Sequence, residues 1–310
     1  MKLLITGGAG TLGSNIIEKL YKDSSVEILC IDNFETGSKK NISFFPEEKI
    51  IEGSITNEKL LREIFKNFKP EIIIHSAASY KDPDNYQNDA HTNIIGAINI
   101  GRLSSEFNVS KIINFQTALC YGIPKKSPIP INHTLEPFTS YGISKTHAEY
   151  YLSKIGVPLV SLRLANICSK NLSIGPIPTF YKRLKEGKSC FCSDAKRDFL
   201  DFDDFFDLLK VILFKSNITG FFNVSTGIGN TITDVFEEVK NNLNLKNISA
   251  EVRPINSDDI AEVILDPSET TKLFDWKPKI GFKEMIEKQI NFFKTDGIDS
   301  IFSHLKNRNE

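Results

Sequence analysis

Residues 2–13 read Lys-Leu-Leu-Ile-Thr-Gly-Gly-Ala-Gly-Thr-Leu-Gly, an apolar run that ends in a glycine-rich turn. The run Lys2–Thr6 has the composition of a strand buried on both faces, and the amphipathic stretch Thr11–Tyr21 predicts a helix after the turn. Glycines spaced GxxGxxG allow the backbone to approach a pyrophosphate closely, and a helix N-terminus favours that anion. The stretch therefore predicts a dinucleotide-binding strand–turn–helix unit, with a purely structural glycine turn as the alternative.

Similar apolar runs alternate with helix-like segments along the first half of the chain. The strand candidates are Lys2–Thr6, Val26–Ile31, Lys49–Ile51, Ile72–His75, Lys111–Phe115 and Leu159–Arg163. The helix candidates are Thr11–Tyr21, Asn57–Phe68, Asn85–Phe107 and Ser140–Lys154. This alternation predicts an α/β fold with a Rossmann-type, doubly wound parallel sheet.

The pattern changes after about residue 166, where helix-like segments are separated by Gly/Pro-rich connections and short strand candidates. These helix candidates are Pro178–Glu186, Phe202–Phe214, Thr231–Asn242 and Phe282–Phe293. We predict a dinucleotide-binding domain over residues 1–165, to which later segments can return, and a smaller mixed α/β substrate-binding domain over residues 166–310. Ligands of open α/β sheets bind outside the carboxyl ends of the strands, so we expect the site there.

The composition excludes several classes of function. The 38 Lys and Arg residues balance 39 Asp and Glu residues, which gives a net charge of −1 and no basic face for nucleic acid. No apolar run reaches the roughly 20 residues that cross a bilayer, and the N-terminus has no signal-peptide cleavage site. The five cysteines show no zinc-like spacing. We expect a cytoplasmic protein with reduced thiols, no metal site and no nucleic-acid or membrane partner.

The second predicted strand ends in Cys-Ile-Asp-Asn at residues 30–33. An acid at this place suits the 2′-hydroxyl of an adenosine ribose and repels a 2′-phosphate. Asp32 therefore favours NAD over NADP. The alternative is an aspartate that only caps a turn.

Tyr141 and Lys145 lie four residues apart in a predicted helix, and so on the same helical face. A cation beside a phenol lowers its pKa from about 10 and allows it to exchange protons near neutral pH. The pair therefore predicts general acid–base chemistry.

These motifs in this order resemble the extended short-chain dehydrogenase/reductase family, in its nucleotide-sugar epimerase/dehydratase branch. The stretches that carry the resemblance are Thr6–Gly13, Asp32-Asn33-Phe34, His75-Ser76-Ala77-Ala78, Asn93, Thr117 before Tyr121-Gly122, Tyr141 with Lys145, Arg163-Leu164-Ala165-Asn166, and Lys196-Arg197-Asp198-Phe199. The resemblance implies NAD as the cofactor. It implies a cofactor-binding role for Gly7, Gly10, Thr11, Leu12, Gly13, Asp32, Asn33, Ser54, Ile55, Ala77, Ala78, Asn93, Tyr141 and Lys145. Ser54 departs from the family, which usually has Asp there.

The resemblance also implies the roles of the reacting residues. Tyr141 is the catalytic acid and base, Lys145 tunes it, and Thr117 bonds to the reacting sugar oxygen. The substrate-binding residues implied are Lys81, Thr117, Asn166, Arg197, Asp259 and Val263. A solvated loop lysine is the alternative for Lys81, and a cap and a surface charge are the alternatives for Asn166 and Arg197. His75 is interpreted as structural.

The residues after Thr117 distinguish between reactions of the family. Relatives that dehydrate the sugar have Asp-Glu where this chain has Ala118 and Leu119, and these apolar side chains exchange no proton. The remaining reaction is C4 epimerisation of a nucleotide sugar, expected to be a UDP-sugar, through a 4-keto intermediate. The alternatives are a net NAD-dependent 4-dehydrogenase or reductase, and a non-catalytic NAD-binding protein.

Two further features concern the sugar and the assembly. Asn256-Ser257-Asp258-Asp259 stands where the family usually has Arg-x-Gly-Asp, and Val263 stands where hexose-limited epimerases have Tyr. The smaller Val263 predicts a UDP-N-acetylhexosamine or its uronic acid, as in epimerases of surface-polysaccharide biosynthesis.

The resemblance implies a homodimer through the helices at Asn85–Phe107 and Ser140–Lys154, although their apolar stripes also suit core packing.

Overall fold

The computed structural model describes residues 1–80, 82–255 and 259–298. The strands are β1 Lys2–Thr6, β2 Glu27–Asp32, β3 Ile50–Glu52, β4 Ile72–His75, β5 Lys111–Thr117, β6 Leu159–Leu164, β7 Asn166–Cys168, β8 Phe191–Cys192, β9 Lys196–Asp201, β10 Gly220–Val224, β11 Gly229–Thr231, β12 Glu251–Val252 and β13 Glu262–Val263. The helices are α1 Thr11–Leu20, α2 Glu58–Phe68, α3 Tyr86–Asp89, α4 Gly96–Glu106, α5 Ser140–Lys154, α6 Pro176–Lys185, α7 Phe202–Phe214, α8 Ile232–Asn242, α9 Ser268–Phe274 and α10 Phe282–Asp296.

A seven-stranded sheet in the order β10-β6-β5-β4-β1-β2-β3 forms the framework. The ladders of β1 with β2 and β4, of β2 with β3 and of β4 with β5 are parallel. Apart from the edge strand β3, these strands are largely buried, which is typical of a sheet covered on both faces. The predicted fold class, a Rossmann-type doubly wound sheet, is confirmed.

The described residues form two compact units. The first comprises Met1–Cys120, Leu135–Arg163 and Ile218–Phe221. The second comprises Tyr121–Thr134, Leu164–Asn217 and the described residues from position 222 onward. The roles predicted for residues 1–165 and 166–310 stay predictions.

Within the first unit, α2, α4 and α5 cover one face of the sheet. Leu4, Ile73 and Ile112 are cross-strand neighbours on that face. Leu4 and Ile73 pack in an apolar core with α2 and α4. Ile112 packs in a second core with α4 and α5. Strand side chains alternate between faces, so the residues two positions further along these strands, Thr6, His75 and Asn114, share this face. Polar side chains at the carboxyl ends of the strands are thereby turned toward α5.

Within the second unit, β9 pairs with β7 and β13 in parallel and with β11 in antiparallel orientation. A core of buried apolar residues lies beside this small sheet, with Phe180, Phe199, Phe236 and Ile286 among its members. All five cysteines are buried free thiols. Within the described ranges, no helix is long and apolar enough to span a bilayer, and no His, Cys, Asp and Glu side chains cluster as metal ligands do.

Candidate active site

The glycine-rich turn between β1 and α1 leaves no room for side chains at two positions. Gly7 has a φ of +68°, and a Cβ atom there would lie 2.7 Å from the Cα and N atoms of Ala77. A Cβ on Gly13 would lie 2.3 Å from the carbonyl oxygen of Gly7. Helix α1 then begins at Thr11 with no acidic residue in its first turn. The exposed backbone and the positive end of the helix dipole together suit an anionic pyrophosphate.

The Asp32 side chain, at the end of β2, forms hydrogen bonds that connect this strand to the glycine-rich turn. One carboxylate oxygen accepts a 2.8 Å hydrogen bond from the backbone N–H of Ala9, and the other accepts one of 2.8 Å from Phe34. Burial raises the pKa of Asp32, and the two backbone bonds oppose that rise. The carboxylate thus does cap the turn. Its role toward a ribose stays a prediction, as does that of the exposed Asn33 beside it.

Ser54 and Ile55, predicted near the adenine, are held by local contacts. The Ser54 hydroxyl lies 2.8 Å from the hydroxyl of Thr56, so a short polar pair stands where the family usually has a carboxylate. Ile55 is buried, and its carbonyl oxygen accepts a 3.1 Å bond from Asn99 Nδ2. The adenine contact stays a prediction.

Tyr141 and Lys145 lie one turn apart on α5, whose N-terminus is capped by the Thr139 hydroxyl. Lys145 is only 2% exposed, and burial lowers its pKa to about 8 against the opposing charge of Glu149. The sequence predicted that the cation would lower the pKa of Tyr141. In the structure the pKa of Tyr141 is raised, because burial dominates and Tyr80 and Asp89 add to it.

Thr117 closes β5 beside this pair. Its backbone N–H donates to Gln116 Oε1 at 2.8 Å, and Gln116 Nε2 donates to the carbonyl oxygen of Lys145 at 2.9 Å. Gln116 therefore fixes the end of β5 to α5 and holds Thr117 near the helix. Sequence reasoning gave Gln116 no role. Its signal is a second buried amide, two residues after Asn114, near the end of a strand.

Asn93 fixes the segment after β4 to α5. Its Oδ1 accepts from the Ser79 N–H at 2.7 Å, and its Nδ2 donates to the Ser79 carbonyl at 3.0 Å and to Ser144 Oγ at 2.9 Å. These bonds use both amide hydrogens, so Asn93 orients the segment. A direct contact of Asn93 with the cofactor stays a prediction.

Asp89 is a second anchor in this region that the sequence analysis missed. Its carboxylate is buried and accepts bonds from the hydroxyls of Ser79 at 2.8 Å and Ser140 at 2.7 Å. Tyr80 comes directly after Ser79, and its ring centroid lies 6.1 Å from that of Tyr141 in an edge contact. The segment after β4 thus packs directly against Tyr141.

His75, interpreted from sequence as structural, lies fully buried at the end of β4. Its Nδ1 is 2.9 Å from the Thr6 hydroxyl, which also accepts a bond from the Ala77 N–H. Burial and the charge of Lys145 lower the pKa of His75 to about 3, so the ring is neutral at physiological pH. Ala77 and Ala78 follow as half-buried residues that add little bulk near Gly7.

The predicted substrate residues of the second unit gather around β9. Arg197 Nη2 lies 2.5 Å from Asp259 Oδ1, and the buried Val263 pairs with Arg197 across β9 and β13. Asn166 Nδ2 donates to the carbonyl of Asp198 at 2.9 Å. The structure thus brings four of these residues together, although their contact with a substrate stays a prediction. Lys81 and the positions Asn256, Ser257 and Asp258 lie outside the described residues.

The profile of the NAD dependent epimerase/dehydratase family matches residues 3–225. The chain belongs to this family. The resemblance drawn from the sequence motifs is therefore confirmed, and so is NAD as the cofactor.

Individual members of the family match over nearly the whole chain. The Bordetella bronchiseptica enzyme WbmG, solved in complex with NAD, is 49% identical with a TM-score of 0.91, and the alignment covers 99% of this chain and 98% of that one. A second WbmG structure contains NAD and UDP. A putative UDP-glucose 4-epimerase of Methanocaldococcus jannaschii is 27% identical over 95% of this chain and 99% of its own length. The UDP-glucose 4-epimerase of Lactobacillus helveticus is 28% identical over 90% and 92%.

The residues present fit an NAD molecule. A Cβ atom on Gly7 would collide with the backbone of Ala77, so only glycine allows the turn and this segment to approach each other so closely. The first turn of α1 carries no competing carboxylate, and Asp32 stands at the carboxyl end of β2. These features match a backbone cradle for a pyrophosphate and an acid for a ribose.

Proposed function

We propose that the protein catalyses the reversible C4 epimerisation of a UDP-sugar with NAD. The observation that carries the proposal is that Gln116 links the backbone of Thr117 to the backbone of Lys145 on α5, where Tyr141 lies one turn before Lys145. Ala118 and Leu119 follow Thr117, so these two positions supply no acid–base group for chemistry at the neighbouring sugar carbons. The relatives named UDP-glucose 4-epimerase bear out the prediction of a UDP-sugar 4-epimerase.

Each residue has a defined part in this reaction. Tyr141 accepts the proton of the O4 hydroxyl as the carbon is oxidised, and returns it when the carbon is reduced on its other face. Lys145 in its charged form stabilises the phenolate, and the Thr117 hydroxyl bonds to O4. Bound NAD supplies the reversible hydride chemistry at C4. Asn166 and Arg197 bind the diphosphate while the 4-keto sugar turns, and Asp259 orients the Arg197 guanidinium.

The experiment uses purified protein with no added cofactor. We expect it to interconvert the C4 epimers of UDP-glucose, UDP-N-acetylglucosamine or UDP-N-acetylglucosaminuronate, as resolved by proton NMR, and Tyr141→Phe to abolish the conversion. Conversion that requires added NAD and accumulates NADH in step with product would identify a net dehydrogenase instead. Cofactor binding without any conversion, unchanged by Tyr141→Phe, would identify a non-catalytic NAD-binding protein.

Within this function, we propose a UDP-N-acetylhexosamine or its uronic acid as the substrate. Support comes from Val263, which is buried beside the strand that carries Arg197 and leaves more room than a tyrosine. The WbmG complex with UDP supports a uridine nucleotide as the carrier of the sugar. A role in surface-polysaccharide biosynthesis and a cytoplasmic location stay predictions.

Val263→Tyr tests this substrate class. Adding a phenol at a buried position is expected to lower kcat/KM for the N-acetylhexosamine by about tenfold or more relative to the hexose, because overpacking costs about 1–3 kcal/mol. Val263→Ala is the matched control, since it leaves the space open and retains the preference. An unchanged ratio of the two substrates in Val263→Tyr would contradict the proposal.

We also propose a homodimer. Ile143, His147, Tyr150 and Tyr151 recur at helical spacing along α5 and form an exposed stripe, with the three apolar members 39%, 57% and 49% exposed. Large aromatic residues clustered on one exposed helix face are typical of protein–protein contacts. A second copy of the same helix is self-complementary to such a stripe under two-fold symmetry.

A further inference from the structure

A row of buried polar side chains crosses the sheet on the face covered by α5. Thr6, His75 and Asn114 are cross-strand neighbours on β1, β4 and β5. Asn114 Nδ2 donates to Ser161 Oγ on β6 at 2.9 Å, and Ser161 Oγ donates to Glu149 Oε1 on α5 at 2.6 Å. The row therefore ends at a carboxylate on the helix that carries the proposed catalytic pair.

The Glu149 carboxylate is held in place by Arg163 as well. Arg163 Nη2 lies 2.8 Å from Glu149 Oε2, and the two side chains are 7% and 2% exposed. Removing two charges from water is costly, and an apolar pair of similar volume is often at least as stable. Stability alone therefore does not account for an ion pair at this position.

Glu149 stands one helical turn after Lys145, so the two side chains share a face of α5. The charge of Glu149 raises the pKa of Lys145 and opposes the larger effect of burial. His75 faces Lys145 from β4 and is neutral, so it contributes no opposing charge at neutral pH. From β5, the neutral Gln116 bonds to the Lys145 carbonyl.

The remaining ionisable groups near the pair act on the tyrosine. Asp89, on α3, and Tyr80, in the segment after β4, both raise the pKa of Tyr141. Both also disfavour the phenolate that the proposed reaction needs. In the proposed reaction, Lys145 in its charged form offsets them.

We propose that Glu149 is a positioning residue that keeps Lys145 in its charged form, and that Arg163 and Ser161 fix Glu149 for this purpose. The proposal rests on the epimerase function proposed above. The buried ion pair then acts on the chemistry of the site in two steps. The charge of Glu149 stabilises the charged form of Lys145, and charged Lys145 stabilises the Tyr141 phenolate. The pH range of activity is then set in part by residues that touch neither substrate nor cofactor.

The test measures the ionisation of Lys145 directly in Glu149→Gln. Trace acetylation with acetic anhydride, followed by peptide mass spectrometry, reports the pH at which each amine becomes reactive, with and without NAD. An opposite charge nearby shifts a pKa by about one to three units, and Arg163 cancels part of this, so we expect the Lys145 midpoint to fall by about one unit. Because no turnover is needed, a failure of the epimerase proposal leaves this test intact.

Two variants separate charge from structure. Ser161→Ala removes a hydrogen bond to Glu149 without removing its charge, so we expect lower stability and a Lys145 midpoint that falls less than in Glu149→Gln. The double variant Glu149→Gln with Arg163→Met leaves no unpaired buried charge and covers the case in which the single variant does not fold. It is expected to shift the midpoint in the same direction by a smaller amount.

If the protein epimerises a sugar, the alkaline limb of its pH–rate profile is expected to move to lower pH in Glu149→Gln along with the labelling midpoint. Glu149→Asp retains the charge and is expected to restore most of the profile. A Lys145 midpoint that is the same in wild type, Glu149→Gln and the double variant would overturn the proposal and leave Glu149 a purely structural residue.

Discussion

Single residues of the proposed site were predictable where their chemistry follows from a local motif. Tyr141, Lys145 and the glycines of the turn belong to contiguous patterns, and the structure places them as those patterns require. Gln116 and Asp89 were missed because their partners lie 29 and 51 residues further along the chain. Contacts of this kind are set by tertiary packing, which no local pattern records.

Asp198, next to Arg197, gives a pH prediction at the residue scale. Burial raises the pKa of its carboxyl from 3.8 to about 6, although the N–H groups of Thr226 and Gly227 and the Thr226 hydroxyl donate to it. Between about pH 4 and about pH 6, the unfolded and folded pKa values, Asp198 keeps its proton in the folded state and has lost it in the unfolded state. The contribution of Asp198 to the free energy of unfolding therefore falls as the pH rises from about 4 to about 6. Urea unfolding of wild type and Asp198→Asn checks this: the variant is expected to lack that decline, and parallel pH profiles would contradict it.

At the scale of elements, β1 and β4 have the bounds expected from the sequence, and the ends of the other predicted strands differ by one or two residues. The helix predicted over Asn85–Phe107 is instead α3, a π-helical turn at Ala90–Ile95, and α4. The π turn contains Asn93, whose side chain bonds to Ser79 and Ser144, so distant partners determine it. Strand β10 was missed because Gly220 and Asn223 leave it without the continuous apolar run by which the other strands of this sheet were predicted.

The turn after β1 provides a prediction for an element. Gly7→Ala is expected to lower the affinity for NAD at least tenfold and to cost about 1–3 kcal/mol of stability, because the new Cβ meets the Ala77 backbone and the φ is positive. Gly156→Ala is the matched control: its φ is +89°, but nothing lies within 4 Å of the new Cβ. It is expected to cost about 1 kcal/mol and to leave NAD binding unchanged. Calorimetric titration with NAD separates the two, and equal losses of affinity would show that backbone strain, not the close approach, limits binding.

At the scale of the whole molecule, the stripe on α5 connects the proposed site to the proposed assembly. The same helix presents Tyr141 and Lys145 on its buried side and Ile143 and Tyr150 on its exposed side. In the proposed dimer, a partner helix packed on the exposed side restrains the motion of α5 and so of the proposed catalytic pair. Dissociation is therefore expected to reduce kcat as well as stability.

The prediction is tested with Ile143→Lys combined with Tyr150→Lys, which places two charges in the stripe. We expect wild type to sediment as a dimer and this double variant to sediment as a monomer of about 34.9 kDa. Phe214→Lys is the matched control, because Phe214 is an exposed aromatic residue, 44% accessible, on α7 of the other unit. It is expected to leave the mass unchanged. Sedimentation velocity at micromolar concentration measures all three proteins. Burying two charged ammonium groups at a helix–helix contact is costly enough to dissociate a dimer that uses this face. A wild type that sediments as a monomer, or a double variant that retains the wild-type mass, would show that the stripe is not the contact.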